Sequence, residues 1–109
     1  MEKKINVLGT EYTIFQQSED SRLVDCDAFC DKTTKEIHVG KFHDDCSLGK
    51  PDVYEKKILR HEIVHAFMFE SGLAEGWEHK ELGQEELAVD WIAYMAPKLF
   101  EAFRTADCI

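Results

Sequence analysis

Apolar runs such as Ala66-Phe67-Met68-Phe69 are only a few residues long, whereas a helix crossing a bilayer needs about 20. A membrane span is therefore not expected. No basic start followed by a greasy stretch is present, because Met1-Glu2-Lys3-Lys4 passes straight into a polar alternating segment, so no export signal is expected either. Positive charge is scarce. Thirteen Lys and Arg face 22 Asp and Glu, a formal net charge of −9, and that field repels phosphate backbones and anionic lipid. Neither nucleic acid nor a membrane surface is an expected partner. Cysteine is limited to Cys26, Cys30, Cys46 and Cys108, and the Cys26-x-x-x-Cys30 spacing is not the two-residue spacing of zinc knuckles and redox motifs. Without an export signal, these cysteines read as reduced thiols of a cytoplasmic protein. There is no phosphate loop, dinucleotide fingerprint or serine elbow, which removes the common nucleotide and serine-hydrolase chemistries.

What is present fits one globular domain over residues 1–109, since two would leave neither half enough interior to offset its ordering entropy. Hydrophobic residues at 44% and charged residues at 32% place the chain among soluble globular proteins and away from disordered ones. Ile5, Val7 and Leu8, a Gly9-Thr10 turn, then Tyr12 and Ile14 predict an opening hairpin. Residues 27–30 and 36–39 predict a second, reversing through the polar stretch 31–35. Residues 40–50 read as a loop, within which His43, Asp44, Asp45 and Cys46 are taken as hydrated. Asp52 and Glu55 have the spacing of a capping box and predict a helix starting there and ending at Gly72. The apolar residues 63, 64 and 66–69 predict that protein surrounds this helix on most sides. After a loop from Leu73 to Gly83, a second helix is predicted near Gln84, with Leu87, Ala88, Trp91, Ile92, Met95 and Leu99 recurring at threes and fours. Pro97 should kink or break it. Trp77, Trp91 and the seven phenylalanines read as core or rim packing. The expected class is α+β, with a small, mainly antiparallel sheet packed on the first helix and the second helix completing a site.

The chemistry is concentrated in His61-Glu62-Ile63-Val64-His65. Residues four apart on a helix share a face, so the two imidazoles can converge on one cation about 2 Å from each nitrogen. Glu62 can then approach water at that cation and act as general base. Chance alone produces this pattern in roughly a few chains per thousand of this length. Two histidines on so apolar a helix would be costly to bury unliganded. A catalytic zinc site takes three protein ligands and keeps one position open, so a third ligand is required. Glu86 and Asp90, four apart on the second helix, fit as ligand and as acceptor of the free ring N–H of His61. Glu85 lies about 100° away around the helix and is the alternative ligand if the helix is rotated.

His61 to His65, twenty residues, then Glu86-x-x-x-Asp90 resembles the gluzincin pattern. The strands-helix-helix layout over residues 25–97 is similar to the minimal zincins of the ImmA/IrrE type, many of them carried by phages and prophages. The resemblance implies a zinc metallopeptidase acting on a peptide or protein substrate. It further implies that residues 36–39 form the edge strand that takes an extended peptide. An oxyanion donor is left open among His79, Tyr94 and His38. Two rivals stand beside this reading. One is a catalytically silent zinc-binding interaction module of a phage or prophage regulator, in which Cys26, Cys30 or His79 closes the metal shell. The other is a metal-free scaffold carrying a chance motif.

Overall fold

The computed structural model describes residues 2–24, 26–41, 49–73 and 82–109, without the side chains of 82–85. The expected loops around residues 42–48 and 74–81, including His43 to Cys46, Trp77 and His79, lie outside the described residues. Strands β1 (Glu2–Val7) and β2 (Thr10–Ser18) form the first hairpin, with Val7 opposite Thr10. That register confines the reversal to Leu8 and Gly9, whose φ angles of 53° and 91° are both positive, as the right-handed twist of a two-residue hairpin demands. Leu8 is thus a turn residue rather than the last strand residue expected, and its side chain is exposed.

A short 3-10 turn, Ser21–Val24, carries the chain to β3 (Ala28–Asp31), which pairs antiparallel with β4 (Glu36–Gly40). Asp31 nucleates this second reversal, its Oδ1 accepting from the Thr33 amide at 2.9 Å and the Thr34 amide at 3.3 Å. Both hairpins form as expected, but they join differently from expectation. The strand order is β1-β2-β4-β3, and β4 lies parallel to β2, so the four-stranded sheet is mixed. Residues 36–39 are therefore an interior strand, bonded on both sides. The edge expected there is instead β3.

Ile37 and Val39 of β4, with Tyr12, Ile14 and Val7, face helix α1 (Pro51–Ser71) and close over Ile58 and Ala66. Successive strand residues alternate faces, which turns His38 to the far side of the sheet. Helix α1 begins one residue before the expected capping box. Pro51 occupies its first turn, where a missing N–H is harmless, Lys50 is the N-cap, and no side chain caps the end. Asp52 still lies in the first turn, where it suits the helix dipole. The C-terminus falls as expected at Gly72, left-handed at φ 83°. The helix is less enclosed than its composition implied: Ile58, Glu62, Ala66 and Met68 are buried, whereas Phe67 is exposed.

Helix α2 (Leu82–Thr105) lies against α1 and continues without a break through Pro97. The proline removes the amide that would bond the carbonyl four residues back, which is that of Ala93. Arg60 of α1 supplies the substitute, its Nε donating to the Ala93 carbonyl oxygen at 2.6 Å. Replacing Arg60 with Met is expected to destabilise the chain by about 1–3 kcal/mol, because the carbonyl of buried Ala93 loses its partner. In a Pro97→Ala background the restored amide serves that carbonyl, and the same replacement should fall below about 1 kcal/mol. A double-mutant cycle in urea measures the difference, and equal penalties in the two backgrounds would contradict the assignment. Among the described residues, no helix is long and apolar enough to cross a membrane.

Candidate metal centre

The face of α2 that meets α1 is set by Val89 and Ala93, both fully buried. At 100° per residue this turns Glu86 and Asp90 towards α1 and sends Leu87, Trp91 and Tyr94 outwards, all three exposed. Trp91 is thus not a core residue, and the stripe named from apolar spacing is rotated away from the contact made by Val89 and Ala93.

His61 and His65 rise from the opposing face of α1, one turn apart. Their Nε2 atoms straddle the Glu86 carboxylate, which lies 3.2 Å from His61 through Oε2 and 2.8 Å from His65 through Oε1. One donor atom from each of the three residues falls within 4.8 Å of the others. The histidine side chains are only 15% and 11% exposed while Glu86 is 49% exposed, so the group opens to solvent on the α2 side. The structure brings His61, His65 and Glu86 together. The side chain of Glu85, the alternative ligand, is outside those described.

Asp90 lies beside this group, its Oδ1 at 3.2 Å from Nδ1 of His61. The Lys57 ammonium, 2.5 Å from the same oxygen, and after it His61, hold the Asp90 carboxyl below its ordinary range, so it is ionised and can only accept. Asp90 can therefore accept from an Nδ1–H of His61, the tautomer that would leave Nε2 for a metal ion. Sequence reading passed over Lys57. The signal was available, since residue 57 lies four before His61 and shares its helix face.

Glu62 is 9% exposed and stays out of the three-residue group. Burial pushes its carboxyl up to about 7, with His61 pulling it down and Glu86 adding to the rise. Two imidazoles and one carboxylate, with a second carboxylate adjacent but not converging, match the donor set of an open zinc site. Among the described residues no further His, Cys, Asp or Glu joins the group. Cys26 and Cys30 lie outside it, and burial above all pushes the Cys30 thiol up to about 12, far from the thiolate a metal needs.

Two of the three oxyanion candidates are placed elsewhere. His38 is stacked between Phe15 and Phe29 on the far face of the sheet, with Ser18 Oγ 2.7 Å from Nδ1 and Glu36 Oε1 3.0 Å from Nε2. Tyr94 lies on the exposed side of α2. A cavity of about 230 Å³ adjoins the centre, running from His61 and Glu62 along α1 to Tyr54 and across to Asp27 and Ala28 at the start of edge strand β3. Compared with protein-family models, curated proteins and solved structures, the chain finds no match in any of the three.

Proposed function

We propose that this chain is a zinc-dependent peptidase of zincin type, with His61, His65 and Glu86 as metal ligands and Glu62 as general base. The single observation that carries this reading is the convergence of two Nε2 atoms and one carboxylate within 4.8 Å, on two different elements, with Glu62 held apart from them. Zinc bound there would polarise a substrate carbonyl and make a neighbouring water more acidic. Glu62, screened from bulk solvent beside His61, is positioned to take the proton from that water and pass it to the departing amine. Asp90 fixes the tautomer of His61, and Lys57 fixes Asp90. The layout resembles the minimal zincins of the ImmA/IrrE type, with β3 rather than β4 as the edge available to an extended peptide.

The test is a zinc titration of chelator-treated protein, followed by incubation of the zinc-loaded chain with a mixed peptide pool read by mass spectrometry. One zinc per chain and new peptide termini are expected. A chain that takes up no zinc removes the reading altogether. A chain that binds zinc but cleaves nothing is instead an interaction module.

A further inference from the structure

We propose that the cavity beside the metal centre is a subsite for a cationic side chain, a lysine or arginine next to the scissile bond, with Asp27 as its counter-charge. The reference to a scissile bond rests on the peptidase reading, whereas the affinity for a cation does not.

The cavity, about 230 Å³, shares His61 and Glu62 with the centre. A space of that size, open to solvent on one side, suits one long side chain rather than a folded segment. Its walls are of two kinds. Ala28 and Ile58 offer apolar surface to a methylene stem, Lys57, His61, Glu62 and Asp90 make the side next to the metal centre polar, and Asp27 with Tyr54 adds a polar pair beyond them. Lysine and arginine have that same division between an apolar stem and a charged head.

The charge balance selects a cation over an anion. Lys57 lines the cavity, but its ammonium is held 2.5 Å from Asp90 and the two neutralise each other. Asp27 differs. The Tyr54 hydroxyl donates to its Oδ2 at 2.7 Å, which aims the carboxylate without neutralising it, and among the described residues no cation pairs with it. The surrounding field has the same sign, since the whole chain carries −9. Cationic peptides would be drawn to such a surface and anionic ones turned away.

Asp27→Asn tests the charge alone, because the amide oxygen can still accept from Tyr54. The amide resonances of the 15N-labelled chain are followed with n-butylguanidinium and, as an uncharged probe of similar length, n-pentanol. Expected are shifts at Ala28, Tyr54 and Ile58 with n-butylguanidinium, weakened about tenfold in Asp27→Asn and by added salt, and little response to n-pentanol. In parallel, the zinc-loaded parent is given acetylated, amidated peptides that differ at one position among Lys, Arg, Leu and Glu, and those with Lys or Arg should be cleaved about tenfold faster. Equal guanidinium affinity in the parent and Asp27→Asn overturns the subsite. So does cleavage indifferent to the varied residue, an outcome that leaves the peptidase reading standing. Asp27-dependent guanidinium binding with no peptide cleaved upholds the subsite and removes the peptidase reading instead.

Discussion

A Glu62→Gln chain is expected to take up one zinc ion as the parent does and to lose peptide hydrolysis by about 10²–10⁴-fold or more, the range ascribed to a positioned general base. The substitution keeps the size and planarity of the side chain and removes only its capacity to accept a proton. Because Glu62 stays outside the three-residue group, zinc affinity is the internal control. Loss of zinc together with activity would show that Glu62 is a ligand, and retained turnover would show that another group takes the proton. The same substitution has a second signature in the metal-free chain. Burial raises the Glu62 carboxyl from an ordinary 4.5 to about 7 in the folded state. A group raised in this way disfavours folding progressively as pH climbs from its unfolded value, and the effect levels off above its folded value. Glutamine carries no such penalty. The stability of Glu62→Gln should therefore match or exceed that of the parent, with the gap widening from about pH 4.5 to 7. Thermal melts in chelator across that range measure it, and a gap that narrows would contradict the burial assigned to Glu62.

The parts of the site legible in the sequence are those set by spacing within one helix. His61 and His65, and likewise Glu86 and Asp90, share faces because a helix returns every 3.6 residues. Their mutual approach then follows from packing one helix on the other. The apolar stripe of α2 pointed the wrong way because Leu87 and Trp91 are large but exposed, whereas the contact with α1 is made by Val89 and Ala93, fully buried. Close helix contacts favour such smaller residues, and hydrophobic size alone misjudged the rotation. The carboxylates decided it correctly, since Asp90 faces Lys57 and His61 rather than solvent.

What spacing did not convey was pairing between distant segments. Each hairpin is local, and its reversal is written in Leu8-Gly9 or in Asp31 to Lys35. Which hairpin strand lies beside the other depends on the route taken by residues 19–27, and no periodicity encodes that route. The outcome moves β4 to the interior and exposes β3, and so relocates the edge a peptide would use to the margin of the cavity at Asp27 and Ala28. The bond from Arg60 to Ala93 escaped for a similar reason. Pro97 announces an orphaned carbonyl at residue 93, but only the packed helices show which side chain of α1 reaches it.

Removing Asp90 should produce the second large effect. Zinc affinity is expected to fall about 10–100-fold in Asp90→Ala, the range seen when an acceptor behind a ligating histidine is lost. The carboxylate does two things to His61 at once. It can accept from Nδ1–H, the tautomer that would turn the Nε2 lone pair to a zinc ion, and it holds the ring against rotation at 3.2 Å. Lys57 makes the carboxylate dependable, because an ammonium at 2.5 Å keeps it ionised and in place. Lys57→Met should accordingly weaken zinc in the same direction but less, since Asp90 remains and only its anchoring is lost, and Lys57→Arg should restore most of the difference. Competition against a fluorescent zinc chelator gives the four affinities directly. Catalysis separates positioning from proton transfer: with zinc at saturation, Asp90→Ala should recover far more turnover than Glu62→Gln, because its principal loss lies in holding the metal. If Asp90→Ala binds zinc as tightly as the parent, the contact with His61 contributes nothing to the centre, and Asp90 serves only to pair α2 with Lys57.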